Sequence, residues 1–268
     1  MKTLASLLRR SAARHRTLIV TVTLLLSGFQ VILVLIARNL QRHNLYSQLA
    51  ALAPPFIQEA LGGAIVSSFS GTVAFGFFHP IVMLSLSCVG IYLATEPAGE
   101  VEDGLVDLVV ARPVPRHLVV SRSAIVYAGG TAFVVAMMFA VNRGAVRWIT
   151  PTSDLAFPSA RLALVAANLL AVVWCFGAAA LALASRLRRR TAAAGTVALS
   201  AVFLYLLHFA AAAWDPLKPF ARLSPFHYYE AMRTLMGTVA PARDIVVLLS
   251  AMVAFLVIAY ASYNRRDL

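Results

Sequence analysis

Charge is scarce in this chain of 268 residues. Asp, Glu, Lys and Arg make up 13% of it, about half of the ~25% usual in a soluble domain. Acids are scarcer than bases, 11 against 23, for a net charge of +12. Cysteine occurs twice, as Cys88 and Cys175, each inside an apolar stretch. That excludes a disulfide framework or a cysteine metal cluster and leaves small, apolar packing as their role. No G-x-x-x-x-G-K-[ST] loop exists to cradle ATP phosphates. H-E-x-x-H and G-x-S-x-G are missing too, so neither a zinc hydrolase helix nor a nucleophile elbow is present. Internal repeats and low-complexity tracts are also absent. The chain supplies no catalytic set and no metal set, and no cofactor is expected on it.

What is present is apolar length. Hydrophobic residues make up 60% of the chain and the mean hydropathy is +0.80. Six spans stand out, 17–37, 72–94, 123–141, 162–184, 192–213 and 245–263. Each comes close to the ~20 residues that a helix needs to cross ~30 Å of hydrocarbon. The alternation in runs of about ten residues that marks a membrane barrel is missing. The expected fold is all-α, a single polytopic membrane domain with six transmembrane helices. The first span follows a basic start and is too long for a cleaved signal, so it is retained. Within residues 1–16, Leu4, Leu7, Leu8 and Ser11 share one helical face and the basic residues lie largely elsewhere, which predicts a helix lying in the membrane interface.

Orientation follows from Lys and Arg. With both termini cytoplasmic, segments 1–16, 95–122, 185–191 and 264–268 hold 14 of the 23 basic residues. Arg186, Arg188, Arg189 and Arg190 crowd one turn, which favours the inner side. Positive inner loops beside anionic lipid account for the net charge without a nucleic-acid partner. The expected location is the plasma or inner membrane, multi-pass.

Four polar side chains fall inside the spans: Gln30, His79, Asn168 and His208. Polarity in lipid needs a partner or a function. His79 and Met83 share a helical face but Cys88 points roughly opposite, so a soft-metal conduit does not form. His79-Pro80 predicts a kink in span two, its freed carbonyl satisfied by neighbours. In the outer loop 214–244, Ser224 caps a helix with Pro225 at its first position and Gly237 past its end. That helix carries Phe226, Tyr228, Tyr229, Met232, Leu235 and Met236 and is too short to span, so it is re-entrant or interfacial. His79, Asn168, His208, Tyr228 and Tyr229 are the candidates for a substrate path. A second outer run, Leu45, Leu49 and Leu52, keeps helical spacing until Pro54-Pro55.

The most informative stretch is Ala98–Arg116, AGEVEDGLVDLVVARPVPR, between spans two and three. It holds Glu100, Glu102, Asp103 and Asp107, with Glu96 just before. Acids open it and Arg112 and Arg116 close it, which suits the dipole of a short helix over Glu100–Arg112. Leu105, Leu108 and Val109 form its apolar face, and Pro113 and Pro115 stop it. Asp103-Gly104 and Ala111-Arg112 are six residues apart, too far for the DGxxAR start of membrane alcohol phosphotransferases, and the downstream aspartates of that motif are lacking.

This insert resembles the loop between the second and third spans of type-2 ABC exporter permeases. Their pattern runs approximately AGE-x-E-x-G-T-[LV]-[ED]-x-L-L-[AS]-R-P-[VI]-S-R, with a basic residue some six positions on. The chain has Ala98, Gly99, Glu100, Glu102, Gly104, Val106, Asp107, Val109, Val110, Ala111, Arg112, Pro113, Val114 and Arg116, then Arg122. It departs at Leu105, where the family has threonine, and at Pro115, where it has serine. The six spans, the amphipathic start and the Leu223-Ser224-Pro225-Phe226 segment extend the likeness over the whole chain.

The resemblance implies a permease subunit without its own engine. The loop 96–122 would be the coupling loop on which a separate ATP-binding cassette subunit docks. Glu100, Glu102, Asp103, Gly104, Leu105, Asp107, Leu108, Val109, Arg112, Pro113 and Arg116 would form the contact. ATP and Mg would belong to that partner, present in two copies beside a second copy of this permease or a homologous one. Apolar spans suggest an apolar or amphipathic cargo. The alternative is an ion- or proton-coupled secondary carrier, against which no carboxylate lies within any expected span. A membrane enzyme would need a convergent acid–base pair that the sequence does not offer.

Overall fold

Six helices long and apolar enough to cross a membrane make up the computed structural model, which describes residues 2–46, 48, 68–104, 115–149 and 157–265. No strand occurs among the described residues, so the chain is an all-α, multi-pass membrane protein.

The first helix, α1, runs from Lys2 to Arg42 without a break. Its 41 residues extend ~60 Å at 1.5 Å per residue, about twice the hydrocarbon thickness. The expected surface helix 1–16 and span 17–37 are therefore one element, because nothing between them breaks a helix. The second span is broken where proline requires it. Helix α2 (Phe69–Phe78) stops before His79, and α3 (Pro80–Ala94) starts with Pro80 at its first position. The insert opens as α4 (Glu96–Glu102), and Gly104, at a φ of 68° in the left-handed region, follows its end. That turn corrects the single helix expected over Glu100–Arg112: glycine takes positive φ at little cost and stops the helix there. Residues 105–114 lie outside the described residues. So do Leu49 and Leu52 of the second outer run.

Helix α5 covers Arg116–Ile149, α6 Ser159–Ala184 and α7 Arg190–Ala213. The connection to the last helix begins with a 3-10 turn at Asp215–Leu217 and α8 (Lys218–Ala221). A second 3-10 turn at Pro225–Tyr228 and α9 (Ala231–Met236) complete it before α10 (Ala242–Asn264). One helix over 225–236 was expected. Instead the backbone turns out of helical geometry at Tyr229 and Glu230. Ser224 does cap the first piece, accepting from the Phe226 amide, and Gly237 ends the second with a φ of 74°.

Helix α6 is the centre of the bundle. Sixteen of its 26 residues are buried, against four of 24 in α7 and three of 23 in α10. It packs on α3, α5, α7 and α10. Small residues allow this closeness: a Cβ on Gly177 would stand 2.7 Å from the Tyr127 ring, so only glycine fits beneath it. Without a hydrophobic drive between helices in lipid, such close packing and interhelical hydrogen bonds hold the bundle. Around the perimeter, Leu199, Phe203 and Leu206 of α7 and Val246, Val253 and Val257 of α10 face outward, as lipid contact requires.

Candidate functional site

The start of α1, helix α4, the starts of α5 and α7, and the end of α10 meet at one end of the bundle. Arg186 donates to Ser262 Oγ at 3.0 Å and Arg116 to the Asn264 carbonyl at 3.2 Å, tying the α6–α7 turn and the start of α5 to the end of α10. At the middle of this charged end lies Glu96, the first residue of α4 and only 2% exposed.

Helical periodicity builds its surroundings. Glu96 and Glu100 are four apart and share a face of α4; Ser11 and His15 are four apart and share a face of α1. Ser11 donates from Oγ to Glu96 Oε2, while His15 Nε2 and Arg122 Nε each stand 3.7 Å from the same oxygen. The Arg122 fork closes on Glu100, with Nη1 to Oε1 at 2.8 Å and Nη2 to Oε2 at 2.9 Å. Such a bidentate pair is the strongest common geometry for a guanidinium and a carboxylate. Burial pushes the Glu96 carboxyl up, but the His15 imidazole, the Arg122 charge and the Ser11 hydroxyl outweigh it and hold the group down to about 2. Two further acids complete the ring. Glu102 Oε2 accepts from the Arg190 amide at 2.9 Å, and Asp103 pairs with Arg14 at 3.3 Å in an exposed position.

The acids at the base of the insert are therefore engaged within the chain. Glu100, Glu102 and Asp103, expected at a partner's surface, bind α5, the start of α7 and α1 respectively. Gly104 forms the exit turn and Arg116 the first turn of α5. Leu105, Asp107, Leu108, Val109, Arg112 and Pro113 lie outside the described residues. With its acids paired to α1, α5 and the start of α7, the cluster fixes the base of the insert in place.

A second polar group lies toward the opposite end, at the break in span two. Pro80 has no amide hydrogen, and the Ile81 amide turns to His79 Nδ1 at 3.2 Å. The buried Phe77 carbonyl thereby loses its helical donor, and the Tyr229 hydroxyl donates to it at 2.9 Å. Asn168 of α6 donates to the Tyr228 carbonyl at 3.0 Å, so α6 and span two both grip the segment between the 3-10 turn and α9. His208 of α7 reaches this group only through His227, with ring centres 6.3 Å apart, and His227 lies edge-on to Tyr228 at 5.2 Å. His79 itself is half-buried between the Phe29 and Phe75 rings. The structure thus brings Asn168, Tyr228 and Tyr229 together, with His79 beside them at the break and His208 at the margin. Phe226 and Leu235 are 1% and 0% exposed, so the segment packs against the helix bundle.

Several of these residues escape a sequence reading. Glu96 counts there only as one more acid, and Arg190 as one of four arginines. Ser11 did carry a signal, as a polar residue on the apolar face of residues 1–16. Asn142, wholly buried, donates to Gln30 Oε1 at 3.0 Å and to the Val73 carbonyl at 2.9 Å. It falls one residue beyond the expected end of span three, because Arg143 and Arg147 lower the local hydropathy while the helix runs on. Comparison of the chain with protein-family models and with curated proteins gives no match.

Proposed function

We propose that this chain is the membrane-spanning permease subunit of an ABC exporter. Two permease chains would form the pathway, and two copies of a separate ATP-binding subunit would drive it with ATP and Mg. The observation that carries this reading is the anchoring of the insert. A loop that binds no partner needs no fixed base, yet the base of this one is tied to α1, α5 and α7 through four acids, Glu96, Glu100, Glu102 and Asp103. A force applied to residues 105–114 therefore reaches three helices through short, charge-assisted bonds. The excess of Lys and Arg at the same end supports a cytoplasmic position for the insert, on the side where ATP is. Apolar or amphipathic cargo fits a bundle of six long apolar helices.

One observation favours a proton-coupled carrier, the buried carboxylate of Glu96 between His15 and Arg122. Its environment argues against that role. A group held near 2 stays ionised at neutral pH and does not carry protons, and it lies at an end of the bundle rather than at mid-membrane. The test is the mass of the complex purified from its own membrane into nanodiscs. Two permease chains with two ATP-binding chains are expected, hydrolysing ATP. A transport-active chain with no ATP-binding subunit, inhibited by collapsing the proton gradient, would replace this reading with the carrier.

A further inference from the structure

Arg190 makes more contacts at the charged end than its place in a run of four arginines suggests. Its Nη2 donates to the Tyr92 carbonyl at 2.8 Å and its Nε to Thr95 Oγ1 at 3.4 Å. The guanidinium lies over the Tyr92 ring, 3.8 Å from the centroid. Its Cδ passes so close to Gly99 that a Cβ there would stand 3.1 Å away. Its backbone amide binds Glu102. One residue therefore spans the insert from the last turn of α3 to the last residue of α4, and every one of these contacts is made by the first residue of α7.

The rest of α7 is loosely held. Ala193, Val197, Ala201 and Ala211 are its only buried residues, all small, and its outer face is apolar and exposed. The neighbouring helices α3 and α6 are buried along most of their length. A displacement of the insert meets high resistance through α3 and low resistance through α7. We propose that Arg190 is a positioning residue, a clasp that makes the insert and α7 move together, so that α7 is the helix that an ATP-driven partner moves. The direction of that motion rests on the ABC reading; the clasp itself does not.

Two measurements separate the clasp from that reading. In the purified permease alone, hydrogen exchange is followed over residues 92–104 and 190–201 for the wild type, Arg190→Gln and Tyr92→Leu. Arg190→Gln should speed exchange in both segments together by about tenfold, the ratio expected when charge-assisted hydrogen bonds are lost. Tyr92→Leu keeps the hydrogen bonds and removes only the ring, and it should show a smaller rise in both. Exchange in 92–104 indistinguishable from wild type in both variants overturns the clasp. A rise in 92–104 with 190–201 unchanged also overturns it, since the two segments would not be linked.

In the complex with the ATP-binding subunit, a spin label replaces Leu199 on the exposed face of α7, with Cys88→Ser and Cys175→Ala as background. Mg-ATP with vanadate is the probe. It should change the label's mobility in the parent protein, and Arg190→Gln should remove that change while ATP hydrolysis continues. An equal change in Arg190→Gln would overturn the proposal while leaving the ABC reading intact. Failure of any ATP-binding subunit to associate with the wild type would remove the ABC reading, and hydrogen exchange would still decide the clasp.

Discussion

Replacing Tyr229 with phenylalanine removes a single oxygen from the segment between the 3-10 turn and α9 and leaves its ring in place. That oxygen is the donor to Phe77 O, at 2.9 Å, in a site where Tyr229 is 7% and Phe77 0% exposed. No other donor can take over along the helix, because Pro80 has no amide hydrogen and the Ile81 amide is held by His79 Nδ1. A buried acceptor left without a partner costs about 1–3 kcal/mol. Tyr228→Phe is the internal control. Its hydroxyl donates to Arg222 O at 3.1 Å in an exposed setting, so water replaces it and the change should stay within about 0.5 kcal/mol. Unfolding in mixed micelles of rising SDS content, followed by tryptophan fluorescence, measures both. Adding Pro80→Ala to Tyr229→Phe returns an amide to the break and frees the Ile81 amide for Phe77 O. The two changes should therefore couple, with the double variant recovering about 1 kcal/mol relative to their sum. Equal stabilities for Tyr229→Phe and Tyr228→Phe, or strict additivity with Pro80→Ala, would refute the argument from the freed carbonyl.

Three other sites give outcomes of similar clarity. Glu96→Gln keeps the shape but removes a buried charge facing Arg122; it should destabilise the charged end by on the order of 3 kcal/mol, read from the same SDS titration. The effect should depend on pH in a defined sense. Because the folded group is lowered from 4.5 to about 2, its stabilisation is complete above about pH 4.5 and is lost as pH falls toward 2. The gap between wild type and Glu96→Gln should thus narrow below about pH 4.5, and a constant gap would show that ionisation of Glu96 is not involved. Asn142→Leu removes the donor to both Gln30 and the Val73 carbonyl; a loss of about 1–2 kcal/mol is expected, and a neutral result would mean the buried amides contribute no net stability. Gly177→Ala places a methyl group 2.7 Å from the Tyr127 ring and should cost about 1–3 kcal/mol; Gly129→Ala, with open space around it, should not.

How much of this was legible in the sequence depends on the range of the interaction. Composition over about twenty residues locates a span, so all six were found, and the last three agree with their helices to within three residues. Local backbone chemistry was legible too: His79-Pro80 broke span two, Ser224 capped its turn, and Gly237 adopted the left-handed conformation. Failures came where local patterns met distant partners. Hydropathy ended span three at Val141, but α5 continues to Ile149 because Asn142 is satisfied by Gln30 and by Val73 O, which no window in sequence can see. The acids of the insert read as a partner-facing surface because their partners Arg122, Arg190 and Arg14 lie 22, 88 and 89 residues away. Glu96 and Ser11, separated by 85 residues, form the most buried of these contacts and showed only as a polar residue on an apolar face.

The proposed docking of an ATP-binding subunit on the insert between spans two and three is tested most directly by Leu108→Asp. Leu108 lies on the apolar face read from the sequence, and a charge at an interface anchor costs about 2–4 kcal/mol. The tagged ATP-binding subunit should retain the wild-type permease through solubilisation and lose Leu108→Asp, while the variant still inserts into the membrane and matches the wild type in SDS unfolding. Retention of Leu108→Asp at the wild-type level, in a normally inserted protein, would contradict the docking of this insert and the function built on it.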